Sequence, residues 1–157
     1  MMMRNPGFAL ALALGLAAAP ALGAELKLTD YVGVWKGSGT YERITSSRSE
    51  GILSCKLSIT AQSDNAITVD GRCAAPEGSQ SFSTRITATN GRLSGVDGKS
   101  GRASSGTLGA SGLALSGKDA AGETYFALSS PLAGPIRMES ADKGARESRS
   151  AIATLKR

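Results

Sequence analysis

From residue 31 onward the chain alternates apolar or small residues with polar ones at a period of two. Tyr31, Gly33, Trp35, Gly37, Gly39 and Tyr41 share one parity. Leu53, Cys55, Leu57 and Ile59 share a face, as do Ile67, Val69, Gly71 and Cys73, and then Phe82, Thr84, Ile86 and Ala88. Leu113 and Leu115 make a shorter pair, and residues 124–129, 135–140 and 147–155 read as later strands. Successive side chains of a strand point to opposite faces, so each run lays one apolar face against a core. Turn-forming clusters fall between the runs: Ser63-Asp64-Asn65, Pro76-Glu77-Gly78, Asn90-Gly91, Asp97-Gly98, residues 109–112, 119–122 and 131–135. Short strands with turns roughly every 8–12 residues predict an all-β meander, closed as a barrel or stacked as a sandwich. The one helical candidate is short, residues 28–32, with Thr29 as its cap.

Residues 91–122 carry the weakest pattern. Asn90-Gly-Arg-Leu-Ser-Gly95 and Ala110-Ser-Gly-Leu-Ala-Leu-Ser-Gly117 look like two related hairpin units, with Gly98, Gly101, Gly106 and Gly109 between them. A strand short of large side chains specifies its register poorly.

A hairpin centred on Asp64 sets Ile59 opposite Val69, Leu57 opposite Gly71 and Cys55 opposite Cys73. Directly opposed strand positions bring Cβ atoms within bridging distance. The predicted disulfide would stabilise by about 3 kcal/mol. A redox role would call for C-x-x-C spacing and a thiol of low pKa, and the spacing is absent.

The first residues read differently. Residues 1–7 carry a single charge, Arg4; residues 8–19 are Ala, Leu, Gly and Phe throughout; Pro20 follows, then small residues at Ala21, Gly23 and Ala24. A charged start, a short apolar run and a small-residue exit predict a secretory signal peptide over 1–23, leaving a single barrel domain over 24–157. The apolar run is shorter than the about 20 residues that span a bilayer. Cleavage after Gly23 fits the small-x-small pattern best, with Ala24 close behind. No cysteine borders the cut, which argues against a lipid anchor. The expected location is the periplasm or the exterior, where a disulfide persists.

Composition narrows the chemistry. The chain has 157 residues, 18 Lys and Arg against 13 Asp and Glu, no His, two Cys and 20 Gly. Without histidine there is no Ser-His-Asp or Cys-His catalysis and no His-ligated zinc or haem. Two cysteines cannot build a four-cysteine metal site. Removing Arg4 leaves a net charge of about +4, a mild excess that fits a solvated surface or weak attraction to acidic lipid or polysaccharide. Ser140-Ala-Asp-Lys143 matches the S-x-x-K pattern, which needs a helix start and a buried pocket; here it sits in the polar run 139–149, expected to be a solvated turn and strand edge. No catalytic residue, metal or cofactor is expected.

The segment Gly33-Val-Trp-Lys-Gly-Ser-Gly39 holds the only tryptophan. An inward Trp35 can plug one end of a barrel, and inward glycines let the strand coil and leave space beside the plug. Either Trp35 anchors a small core and the glycines serve curvature, or a ligand cavity exists. Its lining would come from the inward parities: Trp35, Gly37, Gly39, Tyr41, Leu57, Ile59, Val69, Phe82, Ile86, Leu113 and Leu115. Small inward residues Gly71, Thr84 and Ala88 would enlarge it.

Gly33-x-Trp35 after a short leading helix resembles the signature of lipocalins and other calycin barrels. The longer Gly33-x-Trp35-x-Gly37-x-Gly39 is similar to the first strand of the haem-binding nitrobindin-type barrels, and 153–157 is similar to their last strand. Those barrels ligate haem through a histidine that this chain lacks; Met138, Tyr41 and Tyr125 are the conceivable substitutes. The lipocalin resemblance implies an arginine of the last strand stacked on Trp35, with Arg149 as the candidate. Gly33-Val-Trp35, Cys55-Lys-Leu-Ser-Ile59 and Cys73 also resemble periplasmic inhibitors of serralysin-type metalloproteases, which implies insertion of the mature N-terminal segment, about 24–30, into a protease cleft. That likeness covers residues 24–73.

The sequence thus predicts one all-β domain, an antiparallel up-and-down calycin-like barrel of about 8–10 strands with a short N-terminal helix. It is expected to be exported, monomeric and non-enzymatic. Either it binds a small apolar or amphipathic ligand in the barrel, or it serves as an envelope protein with no ligand. The alternative is a periplasmic protease inhibited through the N-terminus. Neither nucleic acid nor stable membrane insertion is expected.

Overall fold

The structure, a computed structural model, describes residues 25–157. The predicted signal peptide over 1–23 and its cleavage site lie outside the described residues. A 3-10 turn, Leu28–Tyr31, leads into ten strands: β1 (Gly33–Ile44), β2 (Arg48–Ser63), β3 (Ala66–Ala75), β4 (Gly78–Thr89), β5 (Arg92–Asp97), β6 (Ala103–Gly109), β7 (Gly112–Asp119), β8 (Gly122–Ser129), β9 (Ile136–Lys143) and β10 (Ser148–Lys156). A second 3-10 turn, Pro131–Ala133, precedes β9. Each strand pairs antiparallel with the next, and β10 returns to β1 to close the barrel. Among the described residues, closure leaves no strand of the barrel at an unpaired sheet edge.

Alternation decides which side chains enter the barrel. Trp35, Leu57, Ile59, Ile67, Val69, Ile86, Leu93, Leu113, Leu128, Ile136, Met138 and Leu155 are buried. They fill the half nearest the start of β1, and Leu26, Leu28 and Tyr31 cover that end. The Trp35 indole N–H donates to the Tyr31 carbonyl at 2.8 Å, and the Tyr31 hydroxyl donates to the Leu128 carbonyl at 3.3 Å. The leading turn is capped by Asp30, whose carboxylate accepts from the Lys27 N–H at 2.8 Å. Thr29, the expected cap, lies within the turn, so its side chain is past the free N–H groups a cap must meet.

The predicted hairpin register is observed. Ile59 pairs with Val69, Leu57 with Gly71 and Cys55 with Cys73, and a bulge between Ala61 and Ser63 sits next to the turn. Cys55 and Cys73 are disulfide-bonded, Cα atoms 4.1 Å apart. Asn90-Gly91 makes the β4–β5 turn with positive φ at both residues, the backbone that Asn-Gly favours in two-residue hairpins.

Gly37 and Gly39 act through close backbone approach. A Cβ on Gly37 would lie 1.9 Å from the Thr154 carbonyl oxygen, and one on Gly39 1.8 Å from that of Ile152. The space beside β1 is therefore occupied by the main chain of β10. The weakly patterned segment is regular: β5, β6 and β7 pair in continuous register, with Leu93, Gly95, Gly106, Leu113 and Leu115 sharing the inward face. A Cβ on Gly106 would sit 1.7 Å from the Ala114 carbonyl oxygen. The polar run 139–149 is no strand edge: Glu139–Lys143 belongs to β9, residues 148–149 begin β10, and both strands are paired on each side.

Candidate functional site

The barrel half opposite Trp35 is not filled by apolar side chains. A cavity of about 320 Å³ is lined there by Thr84, Asp97, Ser100, Arg102, Ser104, Leu115, Thr124, Tyr125, Phe126 and Asp142. Its size is at the lower end of small-molecule pockets, about 300–1,000 Å³. Register explains the lining. Thr84 pairs with Asp97, Leu115 with Phe126, and Thr124 with Asp142, so all point to the interior. Phe126 meets Phe82 edge to face, ring centroids 5.7 Å apart, and Phe82 lies across Gly71, where a Cβ would be 2.1 Å from the ring. This aromatic pair and Leu115 separate the cavity from the packed half.

The polar lining is held in place. Arg102 makes a two-pronged pair with Asp119, Nε to Oδ2 at 2.7 Å and Nη2 to Oδ1 at 3.0 Å, and Nη2 also donates to the Gly122 carbonyl at 3.2 Å. Its Nη1 is 3.9 Å from the Asp142 carboxylate. The hydrogen bond from Arg102 holds the Asp119 carboxyl below its usual range. Partial burial alone would raise the Asp97 carboxyl. Three bonds to its Oδ1, from the Ser100 N–H (2.6 Å), the Ser100 hydroxyl (2.7 Å) and the Lys99 N–H (3.0 Å), bring it below its usual range. Both groups are carboxylates at neutral pH. Farther round the rim Glu147 pairs with Arg149 and, at 2.5 Å, with Arg43; the Arg149 bond contributes most to lowering its carboxyl pKa. Among the described residues, no group of three or more His, Cys, Asp or Glu stands where a metal ion could be held.

Of the eleven residues predicted to line a ligand site, Leu115 borders this cavity. Phe82 backs it through Phe126. Trp35, Leu57, Ile59, Val69, Ile86 and Leu113 belong to the packed half. Gly37 and Gly39 face the β10 backbone, and Tyr41 lies over Gly51, where a Cβ would be 3.0 Å from its ring. Partial burial, and then the neighbouring Glu77 carboxylate, push the Tyr41 phenol above its ordinary pKa. Thr84 lines the cavity, whereas Ala88 packs on the core. Met138 is fully buried, and Tyr125, between the inward Thr124 and Phe126 on β8, is on the outward face and 40 % exposed. Asp97, Arg102, Ser104, Thr124 and Asp142 were not expected. Asp97 read as a turn residue, and Arg102 and Ser104 fall in the glycine-rich stretch where no apolar alternation marks the inward face.

The arginine stacked on Trp35 is Arg157, not Arg149. Its guanidinium carbon is 4.5 Å from the indole centroid. Antiparallel pairing places the start of β10, where Arg149 sits, beside Arg43 at the far end of β1. Only the end of β10 reaches the Trp35 level.

No protein-family model matches the chain, and no curated protein matches it in sequence. Solved structures do resemble it. The S-type phycobiliprotein lyase CPES from Guillardia theta superposes with a TM-score of 0.60 at 10% identity, covering 83% of this chain and 89% of that one. The fold is calycin-like. A structure of EF1p2_mFAP2b bound to DFHBI matches at a TM-score of 0.44 and 9% identity, over 82% of this chain and 94% of that one.

Proposed function

We propose that this calycin-like barrel is exported and binds a small amphipathic molecule, without catalysis, in its open half. The observation that carries the reading is the cavity over Leu115 and Phe126, where an apolar floor meets charged and hydroxyl groups fixed by their own hydrogen bonds. Pockets that orient small molecules have this make-up. The disulfide supports export. The S-x-x-K residues do not form a dyad with each other: three positions apart on β9, Ser140 faces inward and Lys143 outward.

A protease inhibitor working through residues 24–30 is less well supported. Leu26 and Leu28 are buried beneath the closed end, so the segment would have to leave the core to enter a cleft.

The test is a titration with the amphipathic dye 1-anilinonaphthalene-8-sulfonate, run on wild type and on Thr84→Phe, which fills the cavity from its wall. Saturable binding by wild type, weakened about tenfold in the variant, is the expected result. Absence of binding by wild type, or equal binding by both, removes the reading. N-terminal sequencing of exported protein tests cleavage, with Ala24 or Glu25 expected first.

A further inference from the structure

Four cations stand in one row on the outer wall. Lys36 of β1 is directly opposite Lys56 of β2 on one side and Lys156 of β10 on the other, and Lys56 is opposite Arg72 of β3. All four are exposed. Adjacent strands lie about 4.8 Å apart, so the row presents positive charge at that pitch over four neighbouring strands. Among the described residues, the ion-paired cations are Arg43, Arg48, Arg102, Lys118, Arg137 and Arg149, and none of the four is one of them. On these four strands Asp70, opposite Ser58, is the one carboxylate in the two rows alongside. Like charges directly opposed across strands destabilise a sheet. The next row on the same face carries Ser54, Ser38 and Thr154 instead.

We propose that this row binds a linear acidic polysaccharide. Successive carboxylates of the polymer pair with the cations, and Ser38, Ser54 and Thr154 offer hydroxyls to the sugar. The shape of the site favours a chain over a membrane: the row follows the convex wall of a closed barrel, which a flexible polymer can track and a plane touches only along a line. Its chemistry favours sugar over single-stranded nucleic acid, because the outward positions of these four strands carry no aromatic side chain on which bases could stack. Ion pairs formed at an exposed surface are screened by salt, so the interaction is strongest at low ionic strength.

The experiment is fluorescence polarisation of a labelled alginate oligomer, a linear polyuronate, titrated with the protein at low salt. Wild type should bind, with affinity falling as salt is added. Lys36→Gln with Lys56→Gln should weaken binding about tenfold, the loss expected for two exposed ion pairs. Its thermal midpoint should be no lower than that of wild type, since repulsion has been relieved. Arg85→Gln with Arg92→Gln removes the same charge from exposed positions on β4 and β5 and should change affinity less than about twofold. No binding by wild type, or an equal loss in both double variants, overturns the proposal. So does adsorption to phosphatidylglycerol vesicles without binding to alginate.

Discussion

The Arg157 guanidinium lies over the Trp35 indole, 4.5 Å from its centroid, and donates to the carbonyls of Asp30 at 2.5 Å and Val32 at 3.2 Å. One side chain thereby ties the last strand to the first strand and to the leading turn. Gly33 lies against it, where a Cβ would be 3.3 Å from the Arg157 Nε, and its φ of +143° is a backbone that favours glycine.

Arg157→Ala should cost about 1–2 kcal/mol, from a partly exposed cation–π contact and two carbonyl hydrogen bonds. Trp35→Ala should cost about 3–5 kcal/mol, because it empties a buried site. Urea unfolding measures both. Arg149→Ala should leave the Trp35 emission spectrum unchanged, since Arg149 is at the other end of β10.

Reducing the Cys55–Cys73 bond should lower stability by about 3 kcal/mol without dismantling the barrel. The strand register at the bridge, Cys55 opposite Cys73, is also maintained by main-chain pairing of the neighbouring residues. Denaturant melts with and without reductant check the magnitude, and non-reducing peptide mapping checks the linkage.

Gly39→Ala should destabilise by about 1–3 kcal/mol or more, as overpacking does. The added Cβ meets main chain, at 1.8 Å from the Ile152 oxygen and 2.5 Å from the Ala153 Cα, so relief requires the β1–β10 seam to move apart. Hydrogen exchange should show faster amide exchange along that seam than along β5–β6.

Tyr31 makes the barrel sensitive to alkali. Burial raises its phenol pKa well above the ordinary value near 10, and the hydrogen bond its hydroxyl donates to the Leu128 carbonyl also favours the neutral form. The folded protein keeps the phenol neutral while the unfolded chain ionises. Stability is thus unaffected by this group below pH about 10 and falls as pH rises above it. Tyr31→Phe should flatten that part of the stability profile in urea melts from pH 8 to 11. An unchanged slope would assign the alkaline loss to other groups.

Much of the fold was written in local pattern. Alternation set the strands and their inward faces, Asn90-Gly91 set its turn, and the common parity of Cys55 and Cys73 about Asp64 set the disulfide, because each depends on residues close along the chain. Tertiary structure decided what depends on the far ends of strands meeting. Closing β10 on β1 selected Arg157 rather than Arg149 for Trp35, and it brought the β10 backbone against Gly37 and Gly39, deciding between the two roles the pattern left open for them, strand curvature and ligand space. The cavity belongs to the same class. Asp97, Arg102, Thr124 and Asp142 come from four strands and turns, and their polarity hides them from a hydrophobic pattern; only barrel closure aims them at one volume. The row Arg72, Lys56, Lys36 and Lys156 likewise exists only once four strands have taken their register, since nothing along the chain itself places residues 36, 56, 72 and 156 side by side.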